Sequence, residues 1–289
     1  MIVTLTEILK IAEEKKIAIG AFNAPNLESL QAVIGAAEEL HLPVIIQFAQ
    51  CHEVYNPLAV MGPLMVDFAK KATVPVCVHL DHGETLEYLE EALRLGFTSV
   101  MYDGSVLPYE ENVENTKKTV AMASAVGASV EAELGSMGKR ESGAGDGSGA
   151  EDATKIYTDP VQAKAFVEET GIDALACSFG TTHGIYLTKP RLDFTVVERV
   201  RCATGGIPVV MHGGSGVSRE DFHAAIRAGV RKINYFTYMD KAAGTAVCEW
   251  SAGLANGQPA FYVDAVIAAT QAMKENVKEA MKMFALLDE

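Results

Sequence analysis

The chain has 289 residues, 49% of them hydrophobic, and a mean hydropathy of +0.13, enough to bury a large core as one big domain or two small ones. A net charge of −14 with no run of Lys or Arg argues against nucleic acid or an anionic membrane as a partner, so any anionic substrate must be held by local donors. Cys51, Cys77, Cys177, Cys202 and Cys248 are odd in number and lack CxxC spacing, which argues against a disulfide framework or a zinc knuckle and points to a reducing cytoplasm.

The first residues, MIVTLTEILKIAEEKK, mix charges into an amphipathic pattern without an apolar run and cleavage site, and read as a first helix rather than a signal peptide or membrane span. Eight apolar or β-branched runs follow: IAIGAFN, PVIIQFA, PVCVHLD, TSVMYD, SVEAELG, DALACSFG, PVVMHGG and RKINYFT, beginning near Ile17, Pro43, Pro75, Thr98, Ser129, Asp173, Pro208 and Arg231. Segments with helical apolar spacing separate them, such as LESLQAVIGAAEEL, LEYLEEALRLG and REDFHAAIRAG, several closed by a C-capping glycine. Buried strands joined by helical crossovers imply a parallel sheet, and eight such units fit a closed (β/α)8 TIM barrel. A doubly wound open sheet is the alternative, but GAFNAPN supplies no glycine fingerprint after the first strand. The expected organisation is one barrel domain over residues 1–289, with a mobile loop at 136–152 and a C-terminal helical extension at 257–289. The loop contains GKRESGAGDGSGAED, too glycine-rich and polar to pack. In the extension Val263 to Phe284 reads as an extra helix with Val266, Met273, Val277, Met281 and Phe284 on one face, packed across the barrel or against another subunit.

Barrel chemistry sits at strand C-termini, and there the sequence is polar. Asn23 ends the first of the eight strands, Asp81 and His82 the third, and Asp103 the fourth; Glu131 and Glu133 lie in the fifth, His183 follows the sixth, His212 ends the seventh and Asn234 lies in the eighth. His41, His52, His79 and His223 read as structural. His82, His183 and His212 come from three strand ends that a barrel gathers about one axis, and three neutral imidazoles with an open position describe a catalytic zinc site; other transition metals suit imidazole too. In HGGSG, the backbone amides of Gly213, Gly214 and Ser215 precede a helix start with a capping-box pattern from Ser218, a suitable cradle for a phosphate; a tight turn that needs glycine is the plainer reading.

These residues resemble the class II, zinc-dependent fructose- and tagatose-bisphosphate aldolases, through GAFNAPNLESLQAVIGAAEE, VCVHLDHG, SVMYDGS, VEAELG, YTDPVQAKAFVEETGIDALACSFGTTHGIY, VVMHGGSG and KINYFT, in order over nearly the whole chain. The resemblance implies a sugar-phosphate substrate and Zn2+ held by His82, His183 and His212. It implies proton transfer at the substrate hydroxyl by Asp81, and a second mono- or divalent cation, or orientation of the ligands, at Asp103 and Glu133. Gly184, Gly213, Ser215, Asn234 and Thr237 match positions that bind dihydroxyacetone phosphate, with Gly214 beside them, and Asn23 is a further substrate position. Glu141 matches an acidic lid residue that exchanges the proton at the enediolate carbon. A cytoplasmic homo-oligomer, a dimer or tetramer, is expected. A Lewis acid on the ketone and adjacent hydroxyl oxygens would supply several kcal/mol of charge stabilisation.

Three departures bear on the substrate. Alanine stands at Ala49, where the family often has a serine that touches the phosphate. Tyr235, Phe236, Tyr238 and Met239 surround Thr237 in place of small or acidic residues, which suggests a bulkier rim. No arginine follows Arg231, although bisphosphate-cleaving members commonly hold the second phosphate with one; Lys274, Lys278 and Lys282 form a stripe that could replace it. Two other functions compete: a metal-dependent hydrolase on the same barrel, and a metal- and sugar-phosphate-binding barrel that has lost catalysis.

Overall fold

Thr4 starts the first helix. Its backbone is extended, its hydroxyl accepts from the Glu7 N–H, and the Glu7 carboxylate accepts from the Thr4 N–H at 2.8 Å, a capping box that fixes α1 at Leu5–Lys15. Ile2–Val3 therefore stay outside the helix and form a short strand, β1, which the amphipathic reading of the first sixteen residues does not anticipate. The computed structural model describes residues 1–135, 157–181, 190–255 and 258–287.

The eight expected strands all form: β2 (Ile19–Asn23), β3 (Val44–Ala49), β4 (Val76–Gly83), β5 (Ser99–Tyr102), β6 (Ser129–Leu134), β7 (Ala174–Cys177), β8 (Val209–Met211) and β9 (Val230–Tyr235). Each pairs in parallel with its neighbours, β2 pairs with β9, and β4 pairs with β5, so the sheet closes into a barrel. β1 pairs in parallel with Val76 and Cys77, at the start of β4 before its pairing with β5 begins at His79. Helices α2 (Leu27–Leu40), α3 (Leu58–Lys71), α4 (Leu86–Arg94), α5 (Tyr109–Val126), α6 (Pro160–Thr170), α7 (Phe194–Ala203), α8 (Arg219–Ala228) and α9 (Thr237–Ala252) follow the strands in turn. No helix among the described residues is long and apolar enough to cross a membrane.

Two apolar cores result. The larger lies between strands and helices. The smaller lies inside the barrel, where Leu5, Ile8, Leu9 and Ala12, one stripe of α1, pack against Ile19, Ala21, Ile45, Cys77, Ala174, Ala176 and Val210. Helix α1 thus packs against the apolar lower interior, and the polar residues are left to the opposite, C-terminal mouth.

The expected extra helix is α10 (Tyr262–Phe284), which packs on α9, α2 and α8 with Met273, Val277, Met281 and Phe284 buried. Phe284 is fully buried against Phe222 and Tyr235, at ring-centroid distances of 5.0 and 5.9 Å, and its carbonyl accepts from the Ala18 N–H at 3.0 Å. Burial of such a ring contributes on the order of 2 kcal/mol. Two lysines of the stripe join α10 to α2, Lys274 pairing with Glu39 at 2.9 Å and Lys278 also with Glu39, whereas Lys282 pairs with Glu279 within α10. Glu39 lies near the end of α2, which runs back from the C-terminal to the N-terminal edge of the barrel. In this subunit Lys274 and Lys278 are therefore packing charge on the outer layer, on the Glu39 end of α2.

Candidate active site

Residues alternate inward and outward along barrel strands, so Asn23, Gln47, Asp81 and Asn234 all turn inward near the C-terminal mouth. Three amides meet one carboxylate there. Nδ2 of Asn23 and Nε2 of Gln47 donate to Oδ2 of Asp81 at 3.0 and 3.1 Å, and Nδ2 of Asn234 donates to Oδ1 at 3.0 Å. Gln47 Nε2 also reaches Asn23 Oδ1 at 2.7 Å, which ties two of the clamps together. Burial alone would raise the Asp81 pKa, but the neighbouring His82, His212 and Lys232 outweigh it and hold the carboxyl well below its ordinary range. The result is a buried, ionised carboxylate held in one orientation. In the sequence Gln47 is marked only as a polar residue within VIIQFA at the parity of Ile45 and Ala49.

Asp81 and His82 are adjacent, and in a regular strand they would face opposite sides. The backbone resolves the conflict: the β4–β5 register shifts between Leu80 and Gly83, and His82 has φ 46, a left-handed conformation that a non-glycine residue adopts at a cost of roughly 1–2 kcal/mol. The irregularity re-aims the imidazole, a common role for a bulge beside a site. His82 and His212 then stand with ring centroids 4.6 Å apart.

Each imidazole is held from behind by a carboxylate. Nδ1 of His82 lies 2.7 Å from Oδ2 of Asp103, and Nε2 of His212 lies 2.9 Å from Oε1 of Glu131. Such partners fix the tautomer and orientation of metal-binding histidines; with them in place, Nε2 of His82 and Nδ1 of His212 would be the nitrogens to meet a metal. One ligand atom from each of Asp81, His82 and His212 lies within 4.8 Å of the others, and the same holds for His82, Asp103 and Glu133. The donor set therefore fits a divalent ion of the nitrogen-and-oxygen-binding type.

The electrostatics agree. Burial opposes a charged imidazole at His82, yet Asp81, Asp103 and Glu133 push its pKa up to about 10. Burial pushes Glu133 up to about 8, with Asp103 adding to the effect. Burial opposes ionisation of Asp103, but its bond to His82 holds it well below the carboxylate range. A pocket that raises the proton affinity of an imidazole to this extent favours a cation at its centre.

On the neighbouring strands, the HGGSG loop packs against β9. Gly214 donates to the Asn234 carbonyl at 3.3 Å, and a Cβ there would lie 2.8 Å from that oxygen, so only glycine permits the approach. Gly213 has φ 65. Ser215, buried, accepts from the Phe236 N–H at 3.3 Å, which sets this loop beside the first turn of α9 at Thr237. The glycine-rich loop and the start of α9 thus lie side by side at the end of the barrel where phosphate is ordinarily held. Ser218 caps α8 by accepting from the Asp221 N–H at 3.2 Å; Asp221 returns to the serine hydroxyl at 2.7 Å rather than to its backbone, so the cap forms without the full reciprocal box.

Two rim expectations are corrected. Tyr235 and Met239 are buried in the outer core, because Asn234 faces inward and its neighbour Tyr235 must face out, against Phe22 and Phe284. Phe236 and Tyr238 are half-buried, with Phe236 5.0 Å from the buried ring of His52. Ala49 stands in register with Asp81, next to the site but without a hydroxyl. His183, Gly184 and Glu141, and the whole of the expected loop at 136–152, lie outside the described residues.

The family described as fructose-bisphosphate aldolase class-II matches residues 3–288. A probable fructose-bisphosphate aldolase of Bacillus subtilis (strain 168) is 40% identical over 289 residues, covering 98% of this chain and 97% of its own, and a fructose-bisphosphate aldolase of Staphylococcus aureus (strain Mu50) is 39% identical over 290 residues with the same coverage. Among solved structures, the YdjI aldolase of Escherichia coli K12 superposes with a TM-score of 0.85 at 39% identity, covering 98% of this chain and 97% of that one. A putative fructose-1,6-bisphosphate aldolase of Coccidioides immitis gives 0.83 at 30% identity, covering 97% and 95%. The likeness spans barrel and C-terminal helix together, supports aldol chemistry on a ketose phosphate, and does not favour the hydrolase or the purely binding alternative. The chain belongs to the class II fructose-bisphosphate aldolase family.

Proposed function

We propose that the protein carries out reversible, zinc-dependent aldol cleavage of a ketose 1-phosphate or 1,6-bisphosphate of the fructose or tagatose type, releasing dihydroxyacetone phosphate and an aldehyde. The observation that carries this reading is the amide-clamped Asp81 beside two carboxylate-backed imidazoles. His82, His212 and, by resemblance, His183 would hold the zinc. When bound, zinc supplies a Lewis acid at the ketone and adjacent hydroxyl of the substrate. Asp81 accepts the proton of the hydroxyl on the carbon being released as the carbon–carbon bond breaks, and returns it in the condensation direction. Asn23, Gln47 and Asn234 keep that carboxylate in one orientation. Glu141, by resemblance, exchanges the proton at the enediolate carbon. Gly213, Gly214, Ser215 and the first turn of α9 at Thr237, with Gly184 by resemblance, receive the phosphate; Asn234 and Asn23 serve the Asp81 end as well. Asp103 and Glu133 orient the ligands or hold a second cation.

The same reading includes a single 1–289 domain with residues 136–152 as its lid, and a homo-oligomer in a reducing cytoplasm. The five cysteines carry no disulfide among the described residues, and Phe261, Tyr262, Val263 and Ile267 leave apolar surface exposed at the start of α10, which supports a subunit contact.

The absent arginine and the pairing of Lys274 and Lys278 with Glu39 favour substrates whose aldehyde half carries no phosphate. In a panel of matched ketoses, kcat/KM for a 1-phosphate is expected to equal or exceed that for fructose and tagatose 1,6-bisphosphate. A bisphosphate cleaved much faster than every 1-phosphate would show that another group holds the second phosphate.

A further inference from the structure

Beneath the mouth, the barrel interior holds a charge pair that aldol chemistry does not itself require. Lys232 on β9 and Glu131 on β6 are fully buried, with Nζ 2.9 Å from Oε2 in an ion pair whose angles fall outside hydrogen-bond geometry. Burying two charges costs several kcal/mol per ion before their attraction is counted, and well-packed apolar residues are often as stable, so stability is a weak reason for the pair.

Its geometry gives a better one. Glu131 divides its oxygens: Oε1 takes the His212 Nε2 contact at 2.9 Å, and Oε2 faces Lys232, with His79 Nε2 at 3.6 Å. His79 is itself held through Nδ1 by Ser99 at 2.8 Å. On the other side of His212, Glu133 Oε2 stands 3.6 Å from Nδ1. The imidazole thus lies between two carboxyl groups, Glu131 facing Nε2 and Glu133 facing Nδ1. A proton on Nδ1 would block the nitrogen that faces the metal site.

We propose that Lys232 is a positioning residue for the metal centre: by fixing the Glu131 carboxylate it keeps the His212 proton on Nε2 and leaves Nδ1 to bind the ion. Without the ammonium, Glu131 has no buried counter-charge and His79 becomes its alternative donor, so His212 is no longer held to one tautomer. The inference rests on the reading of His212 as a zinc ligand.

The test uses the full-length protein with 15N-labelled histidine, in which long-range nitrogen–proton correlation reports the His212 tautomer in the metal-free state, and competition with a chromogenic chelator reports the zinc Kd. Wild type is expected to show a single Nε2–H tautomer. Lys232→Met is expected to mix the tautomers and weaken zinc by roughly 10–100-fold, the usual effect of losing an outer partner. Lys232→Met/Glu131→Gln keeps an acceptor for Nε2–H that needs no counter-charge, and is expected to restore the tautomer and most of the affinity. A Lys232→Met protein with wild-type affinity and one tautomer would overturn the proposal. Should that variant not fold, the double variant is compared with Lys232→Met/Glu131→Leu, which lacks the acceptor: tighter zinc in the glutamine protein supports the proposal and equal zinc overturns it. Failure of wild type to bind zinc is a distinct result, which refutes the metal reading before any variant is compared.

Discussion

Asp81→Ala is expected to keep zinc within a few-fold of wild type while kcat for cleavage falls by about 10²–10⁴-fold, the usual contribution of a positioned acid or base. The two effects separate because the imidazoles are held by Asp103 and Glu131, at 2.7 and 2.9 Å, and not by Asp81, whose nearest His82 contact is 4.0 Å. KM is expected to change much less than kcat, as for a group whose interaction develops in the transition state. The variant also strips the buried amides of Asn23 and Asn234 of their acceptor, while Gln47 keeps Asn23 Oδ1, so its melting temperature should fall, each unsatisfied group costing about 1–3 kcal/mol. Zinc titration and steady-state kinetics on the same sample check the result; comparable losses of zinc and cleavage would move Asp81 from proton transfer to metal binding.

His212→Ala is expected to lose both. The side chain is fully buried between Glu131 and Glu133, so its removal takes Nδ1 from the site and leaves a space flanked by their carboxyl groups. The fall in zinc affinity should exceed the roughly 10–100-fold typical of losing an outer partner, because a direct ligand is gone. Cleavage should fall to background and stay there when zinc is raised to concentrations that saturate wild type. The metal content of the dialysed protein is the check, and a variant that retains stoichiometric zinc would contradict the assignment.

Much of this site was legible in the sequence because barrel strands are short apolar runs and their polar residues cluster at one end. Asn23, Asp81, Asp103, Glu133, His212 and Asn234 fall there by position alone, and HGGSG announces close backbone approach. What was not legible depends on parity and on contacts between distant strands. Tyr235 follows an inward Asn234 and so faces the outer core rather than the rim, a consequence of period-2 alternation. Gln47, His79 and Lys232 share the inward parity of Ala49, Asp81 and Asn234, but which carboxylate each one meets depends on how far around and along the barrel its strand stands. The bulge that turns His82 toward Asp81's side has no marker beyond the unusual adjacency of two polar residues at one strand end. β1 has no periodic signal because it is two residues long, although the Thr4 to Glu7 capping pattern after it marks where the helix begins.

The most direct measurement is dihydroxyacetone phosphate release from a ketose 1-phosphate by protein stripped with a chelator and dialysed, before and after zinc is returned. Release is expected to be lost on stripping and recovered on addition of one equivalent of zinc per chain. Undiminished release from protein verified to be metal-free would contradict zinc-dependent cleavage at His82 and His212.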